Sequence, residues 1–117
     1  MPEGVSQMDV LNLKRRLDQG EALAILDVRE DDERAYAAIS LPEGILDLHV
    51  PLGELPGRFV EVRKAVENRP LVVYCHHGQR SMVAATWLAR RGLIDVHNLD
   101  GGIELWSTRV DATVGRY

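Results

Sequence analysis

Apolar residues along this chain follow two rhythms. Compact runs that are apolar at nearly every position alternate with longer stretches in which apolar residues recur every third or fourth position. The compact runs read as strands buried on both faces, and the spaced ones as amphipathic helices. Residues 6–17 form the first helical stretch, with Val10, Leu13 and Leu17 on one face and Ser6 as the expected N-cap. Gln19-Gly20 stops it. The run ALAILDV at 22–28 reads as a strand, 31–38 as a short helix, Pro42-Glu43-Gly44 as a turn and 45–50 as a second strand. Leu55, Phe59, Val62 and Val66 make a helical stripe entered near Pro56. LVVY at 71–74 is a third strand, 81–91 a helix closed by Gly92, 95–99 a last strand, and 101–106 a final helical turn. The tail 110–117 has no period and is expected to be irregular.

Strands that alternate with helices imply an α/β fold: a mostly parallel sheet of four to five strands with helices on both faces. The whole chain, 1–117, fits one domain with an adequate core. In such folds ligands gather beyond the carboxyl ends of the strands.

Composition changes this picture little. The chain is 45% hydrophobic and 27% charged, with a net charge of -4. That balance suits a globular protein and speaks against nucleic acid as the main partner, since phosphate binding favours a basic face. Residues 1–20 carry too many charges for a signal peptide or a membrane span, so no membrane partner is expected. One cysteine allows no internal disulfide, and a reducing, cytoplasmic location is the simplest expectation.

That cysteine opens the most informative segment. A strand runs directly into Cys75-His76-His77-Gly78-Gln79-Arg80-Ser81, and a helix follows. A loop of this kind can turn successive N–H groups inward as an anion-binding nest, helped by the positive end of the helix behind it. Gly78 permits a backbone conformation closed to most residues. Arg80 adds a permanent charge, and its position at a helix start opposes the dipole unless an anion is near. A thiolate at this mouth is the nucleophile that covalent catalysis needs.

LVVYCHHGQRS followed by a helix resembles the active-site loop of the rhodanese superfamily in its small single-domain form. ILDVRE at 25–30, LPEGILDLHVPLGEL at 41–55 and NLDGGIELW at 98–106 are similar to further blocks of that family, in the right order across residues 8–117. The resemblance implies a five-stranded, mostly parallel sheet and a sulfurtransferase without a cofactor or metal. Cys75 would be catalytic. It would take sulfane sulfur from a donor such as thiosulfate, hold it as a persulfide and pass it to a thiol or a sulfur-carrier protein. His76, His77, Gly78, Gln79, Arg80 and Ser81 would bind the substrate, with Arg80 facing the anion. The tail VDATVGRY resembles the ending of rhodanese modules fused to sulfur-carrier activating enzymes. Two departures stand out: residues 39–45 lack the histidine common in the family's second block, and no strand is evident before the first helix. The sheet is therefore expected to lose an edge strand.

Other readings compete with this one. Cysteine phosphatases and arsenate reductases use a similar cradle, but with five residues between Cys and Arg, where this chain has four. A non-catalytic module would be expected to lack the cysteine or the cradle glycine. Cys75, His76 and His77 with His49 or His97 do not match zinc-ligand spacing. His76 and His77 are expected to splay outward and shape the entrance, rather than serve as a general base. Gln79 reads as a rim residue, and Ser81 either as a donor to the thiolate or as a helix start. Asp27 and Arg29 are expected to brace the sheet end, Trp87 and Trp106 to lie in the core, and the charges of 58–69 to form a solvated helix face.

Overall fold

The structure, a computed structural model, describes residues 4–117. The first three residues, where the stretch expected to hold neither signal nor anchor begins, lie outside the described residues. Five strands form one sheet: β1 (Val5–Met8), β2 (Ala24–Asp27), β3 (Leu46–His49), β4 (Leu71–Tyr74) and β5 (Val96–Leu99). Their order is β1-β5-β4-β2-β3, and every pairing is parallel. The helices are α1 (Val10–Asp18), α2 (Asp31–Tyr36), α3 (Phe59–Val66), α4 (Gln79–Arg90) and α5 (Gly102–Arg109). The expected α/β architecture is thus present, at the upper end of the expected strand count.

Period-two alternation in the strands divides the core into two layers. Ala24, Leu26, Leu71, Val73 and Val96 face α3 and α4, where Val62, Val66, Ala84, Ala85 and Leu88 cover them. Ile25, Val72, Tyr74 and Leu99 face the other way, onto Val10, Leu13 and Leu17 of α1 and Ile103 and Trp106 of α5. β2 and β4 lie inside the sheet with all residues buried, which is why their sequences are nearly continuous apolar runs.

The edge strand expected to be missing is present. Val5–Met8 pairs with β5 from Val5↔Val96 to Met8↔Leu99. Only Val5 and Met8 are buried, each on a different face of the sheet, so the strand leaves too few apolar positions to show a period. The first helix consequently begins at Val10, and its N-cap is Asp9 rather than Ser6. The Asp9 carboxylate accepts from the Asn12 N–H at 2.7 Å. The Leu55 end of the third helical stripe is also not α-helical. Leu52–Glu54 and Pro56–Arg58 are 3₁₀ turns that lead into α3. Trp106 is buried as expected, whereas Trp87 is partly exposed and packs edge-on against Phe59.

One junction fixes the carboxyl end of β4. The first free amides of α5 donate to the chain just beyond the strand: Ile103 N–H to the Cys75 carbonyl at 2.9 Å and Glu104 N–H to the His76 carbonyl at 3.0 Å. Gly102 makes this approach possible. Its φ is +60°, and a Cβ there would lie 2.4 Å from both carbonyl oxygens. Gly102→Ala should therefore cost about 2–4 kcal/mol, from positive-φ strain plus displaced backbone. A denaturant melt measures this loss; a change below about 0.5 kcal/mol would show that the junction tolerates a side chain.

Candidate active site

Alternation along β4 carries on past its last residue. Leu71 and Val73 face α4, and Cys75 follows on the same side. Its side chain is thereby aimed at the start of α4, within a loop that reverses at Gly78. Gly78 has a φ of +106°, and a Cβ there would lie 3.3 Å from the Gly101 amide nitrogen. The helix begins at Gln79, two residues earlier than its apolar pattern indicates, so Gln79, Arg80 and Ser81 make up its first turn.

Three groups converge on the Cys75 sulfur. The Gly78 N–H donates to Sγ at 3.1 Å and the Ser81 N–H at 3.3 Å; the Ser81 hydroxyl lies 3.3 Å away. That hydroxyl donates to Asn98 Oδ1 at 2.5 Å. The Asn98 amide is oriented in turn by donating from Nδ2 to Gln7 Oε1 at 3.0 Å and to the Gly78 carbonyl at 3.2 Å. With its proton directed at Asn98, the Ser81 oxygen can accept from a Cys75 thiol, and the two amides remain the donors to a thiolate. The α5 junction adds direction. All peptide bonds among the described residues are trans, so carbonyls that point at α5 turn the N–H groups of His76 and His77 away from it.

Arg80 has a partner within the chain. Its Nη1 and Nη2 donate to Oε1 and Oε2 of Glu33 on α2, at 2.6 and 2.9 Å. The anion that makes a cation tolerable at this helix start is thus Glu33. Glu33 is saturated: Oε1 also accepts from the Glu30 N–H at 3.0 Å and Oε2 from the Tyr117 hydroxyl at 2.9 Å. The Arg80 fork is the main reason that its carboxyl is held down at about 2.

Behind this pair lies a second, fully buried one. Arg29 makes a bidentate bond to Asp27, with Nε–Oδ1 at 2.9 Å and Nη2–Oδ2 at 2.8 Å. It also donates to the Ala37 carbonyl and, at 2.8 Å, to the Tyr117 hydroxyl. The pair braces the sheet end and connects it to the tail.

The tail itself is more ordered than its lack of period indicates. Ala112–Val114 is a 3₁₀ turn, and Arg116 pairs with Glu104 at 2.8 Å. Tyr117 stacks on His76 with ring centroids 4.0 Å apart, and His76 stacks on His77 at the same spacing. The two imidazoles lie face to face, with His77 exposed and His76 half-buried. Burial, followed by the neighbouring His77, pushes the His76 pKa down and favours its neutral ring. Cys75 is only 1% exposed.

Of the expected loop residues, Gly78 and Ser81 contact the Cys75 sulfur, His76 and His77 join the stack with Tyr117, Arg80 pairs with Glu33, and Gln79 is exposed. Sequence reasoning missed Glu33, Asn98 and Tyr117. Asn98 sits in the NLDGGIELW block and carried some signal, whereas Glu33 and Tyr117 lie far from the loop in sequence. Among the described residues, no cluster of three or more His, Cys, Asp or Glu side chains is placed to hold a metal ion. No described helix is long and apolar enough to cross a membrane.

Comparison with known proteins agrees with this geometry. A thiosulfate sulfurtransferase, GlpE, of Pseudomonas syringae pv. syringae is 38% identical over 92 residues, 78% of this chain and 76% of the relative. A Bacillus subtilis protein named for a sulfur-carrier role, YrkF, is 33% identical over 92% of this chain, which spans only 54% of that relative. The crystal structure of a rhodanese-like domain protein from Staphylococcus aureus superposes with a TM-score of 0.73 at 28% identity, covering 86% of this chain and 90% of the other. The family model described as rhodanese-like domain matches residues 9–109. With the parallel sheet and the cysteine loop at its carboxyl edge, these matches establish that the chain belongs to the rhodanese-like family.

Proposed function

We propose that the chain transfers sulfane sulfur through a persulfide on Cys75, from a donor such as thiosulfate to a thiol or a sulfur-carrier protein. The observation that carries this reading is the pair of amides, Gly78 and Ser81, aimed at Sγ. Preorganised N–H donors stabilise negative charge without reorganising during the reaction. Sγ carries such charge twice, once as the attacking thiolate and once as the leaving thiolate.

In the first half-reaction the Cys75 thiolate attacks the outer sulfur of the donor. The S–S bond of the donor breaks, its electron pair leaves with sulfite or with a thiolate, and Cys75–S–S⁻ remains. In the second, an acceptor thiolate attacks the outer sulfur and Sγ departs as a thiolate into the same two amides. The His76 and His77 N–H groups, turned away from α5, are the donors available to the outer sulfur. Arg80 acts beside them while held by Glu33, and Gln79 lies on the rim by which an acceptor would approach. Ser81 and Asn98 hold the hydroxyl next to Sγ. Cys75 is only 1% exposed, so donor entry requires the loop or its surroundings to open.

Intact mass spectrometry tests the covalent step. Incubation with a sulfane-sulfur donor should add the mass of one sulfur, removable by cyanide and absent in Cys75→Ala. A reduced, folded protein that gains no sulfur from either thiosulfate or a thiol persulfide would refute the reading. Gly78→Ala tests the cradle. It forces a side chain into φ +106° against the Gly101 amide. Sulfur loading should slow by about a hundredfold or more, the scale of losing one preorganised donor, with a stability loss of about 1–2 kcal/mol. Stopped-flow loading and a thermal melt measure the two effects.

A further inference from the structure

The arginines around the Cys75 mouth already have carboxylate partners. Arg80 is paired with Glu33, Arg29 with Asp27, Arg34 with Asp47 and Asp27, and Arg116 with Glu104. Gly78 and Ser81 direct their N–H groups at Sγ itself. An incoming anion would therefore meet a guanidinium whose two terminal nitrogens both face a carboxylate. That carboxylate cannot readily swing aside, because Glu30 N–H holds one oxygen and the Tyr117 hydroxyl holds the other. Tyr117 is fixed in turn by Arg29 and by its stack on His76.

Resting on the persulfide chemistry proposed above, we infer that Glu33 is a specificity-determining residue that makes this site favour thiol persulfides over the thiosulfate dianion. The two donors deliver the same sulfur. Thiosulfate brings a sulfonate whose negative charge must settle beside Glu33. A thiol persulfide, R–S–S⁻, brings one charge on the transferred sulfur and leaves its R group outside the mouth. The transfer balances as Cys75–S⁻ + R–S–S⁻ → Cys75–S–S⁻ + R–S⁻, with no oxidant or reductant consumed. Like-charge repulsion close to a protein surface is sizeable, so the penalty falls on the dianion first. Tyr117 is a positioning residue in this scheme, since its hydroxyl keeps Glu33 on Arg80.

The test compares kcat/KM for thiosulfate and for glutathione persulfide. Glu33→Gln keeps the side chain's size and removes its charge, freeing Arg80 to meet a sulfonate. It should raise the thiosulfate-to-persulfide ratio of kcat/KM about tenfold. Tyr117→Phe should raise the same ratio by a smaller factor. A ratio unchanged or lowered in Glu33→Gln overturns the inference while leaving the persulfide reading intact; sulfur loading from neither donor would instead defeat that reading. Should Glu33→Gln fail to fold, the wild-type protein supplies an independent measurement. A matched mouth predicts a thiosulfate kcat/KM nearly flat between low and physiological salt. A steep fall with salt would reveal an unmatched positive mouth and overturn the inference.

Discussion

Everything at the carboxyl edge of the sheet depends on two backbone bonds from the start of α5 to the carbonyls of Cys75 and His76. A planar trans peptide cannot turn its carbonyl without turning its N–H the opposite way. By fixing these carbonyls outward, α5 decides where the following amides point. Gly102 permits the contact and Gly78 permits the reversal, so two positive-φ glycines from distant parts of the chain shape one loop. The cradle is thus a property of the whole sheet end and does not belong to the CHHGQRS segment alone.

Much of this was legible in the sequence because it rests on local rules. The two-faced burial of β4 makes LVVY a continuous apolar run, and its alternation carries forward to place Cys75 on the α4 side. The faces of α1 and α3 could be read from their spacing. The buried Asp27–Arg29 pair lies two residues apart, within reach of a local reading. What escaped depends on distant partners. β1 exists because the edge of β5 offers it a ladder, and its own four residues show too little pattern. Glu33 meets Arg80 across 47 positions and Tyr117 across 84, separations at which spacing carries no information. The helix-start position of Arg80 did signal a nearby anion. The sequence could not show that this anion is internal.

The internal anion changes how the site works. A free guanidinium would draw in any small anion, whereas a paired one forms a rigid wall beside the sulfur. In the proposed transfer, charge on Sγ is met by neutral amide donors, whose dipoles cost nothing to orient at the moment of reaction. Burial of Cys75 fits the proposed chemistry, in which a persulfide exposed to bulk thiols would lose its sulfur before meeting its acceptor.

The central claim is that inward amides of the loop hold the transferred sulfur. Amide ¹⁵N–¹H spectra recorded before and after sulfur loading of Cys75 test it most directly. New hydrogen bonds to the outer sulfur should shift the His76 and His77 amides strongly, with Gly78 and Ser81 following as Sγ changes charge and amides on the far face of the sheet staying in place. A loaded protein, confirmed by mass, whose loop amides do not move would contradict the account.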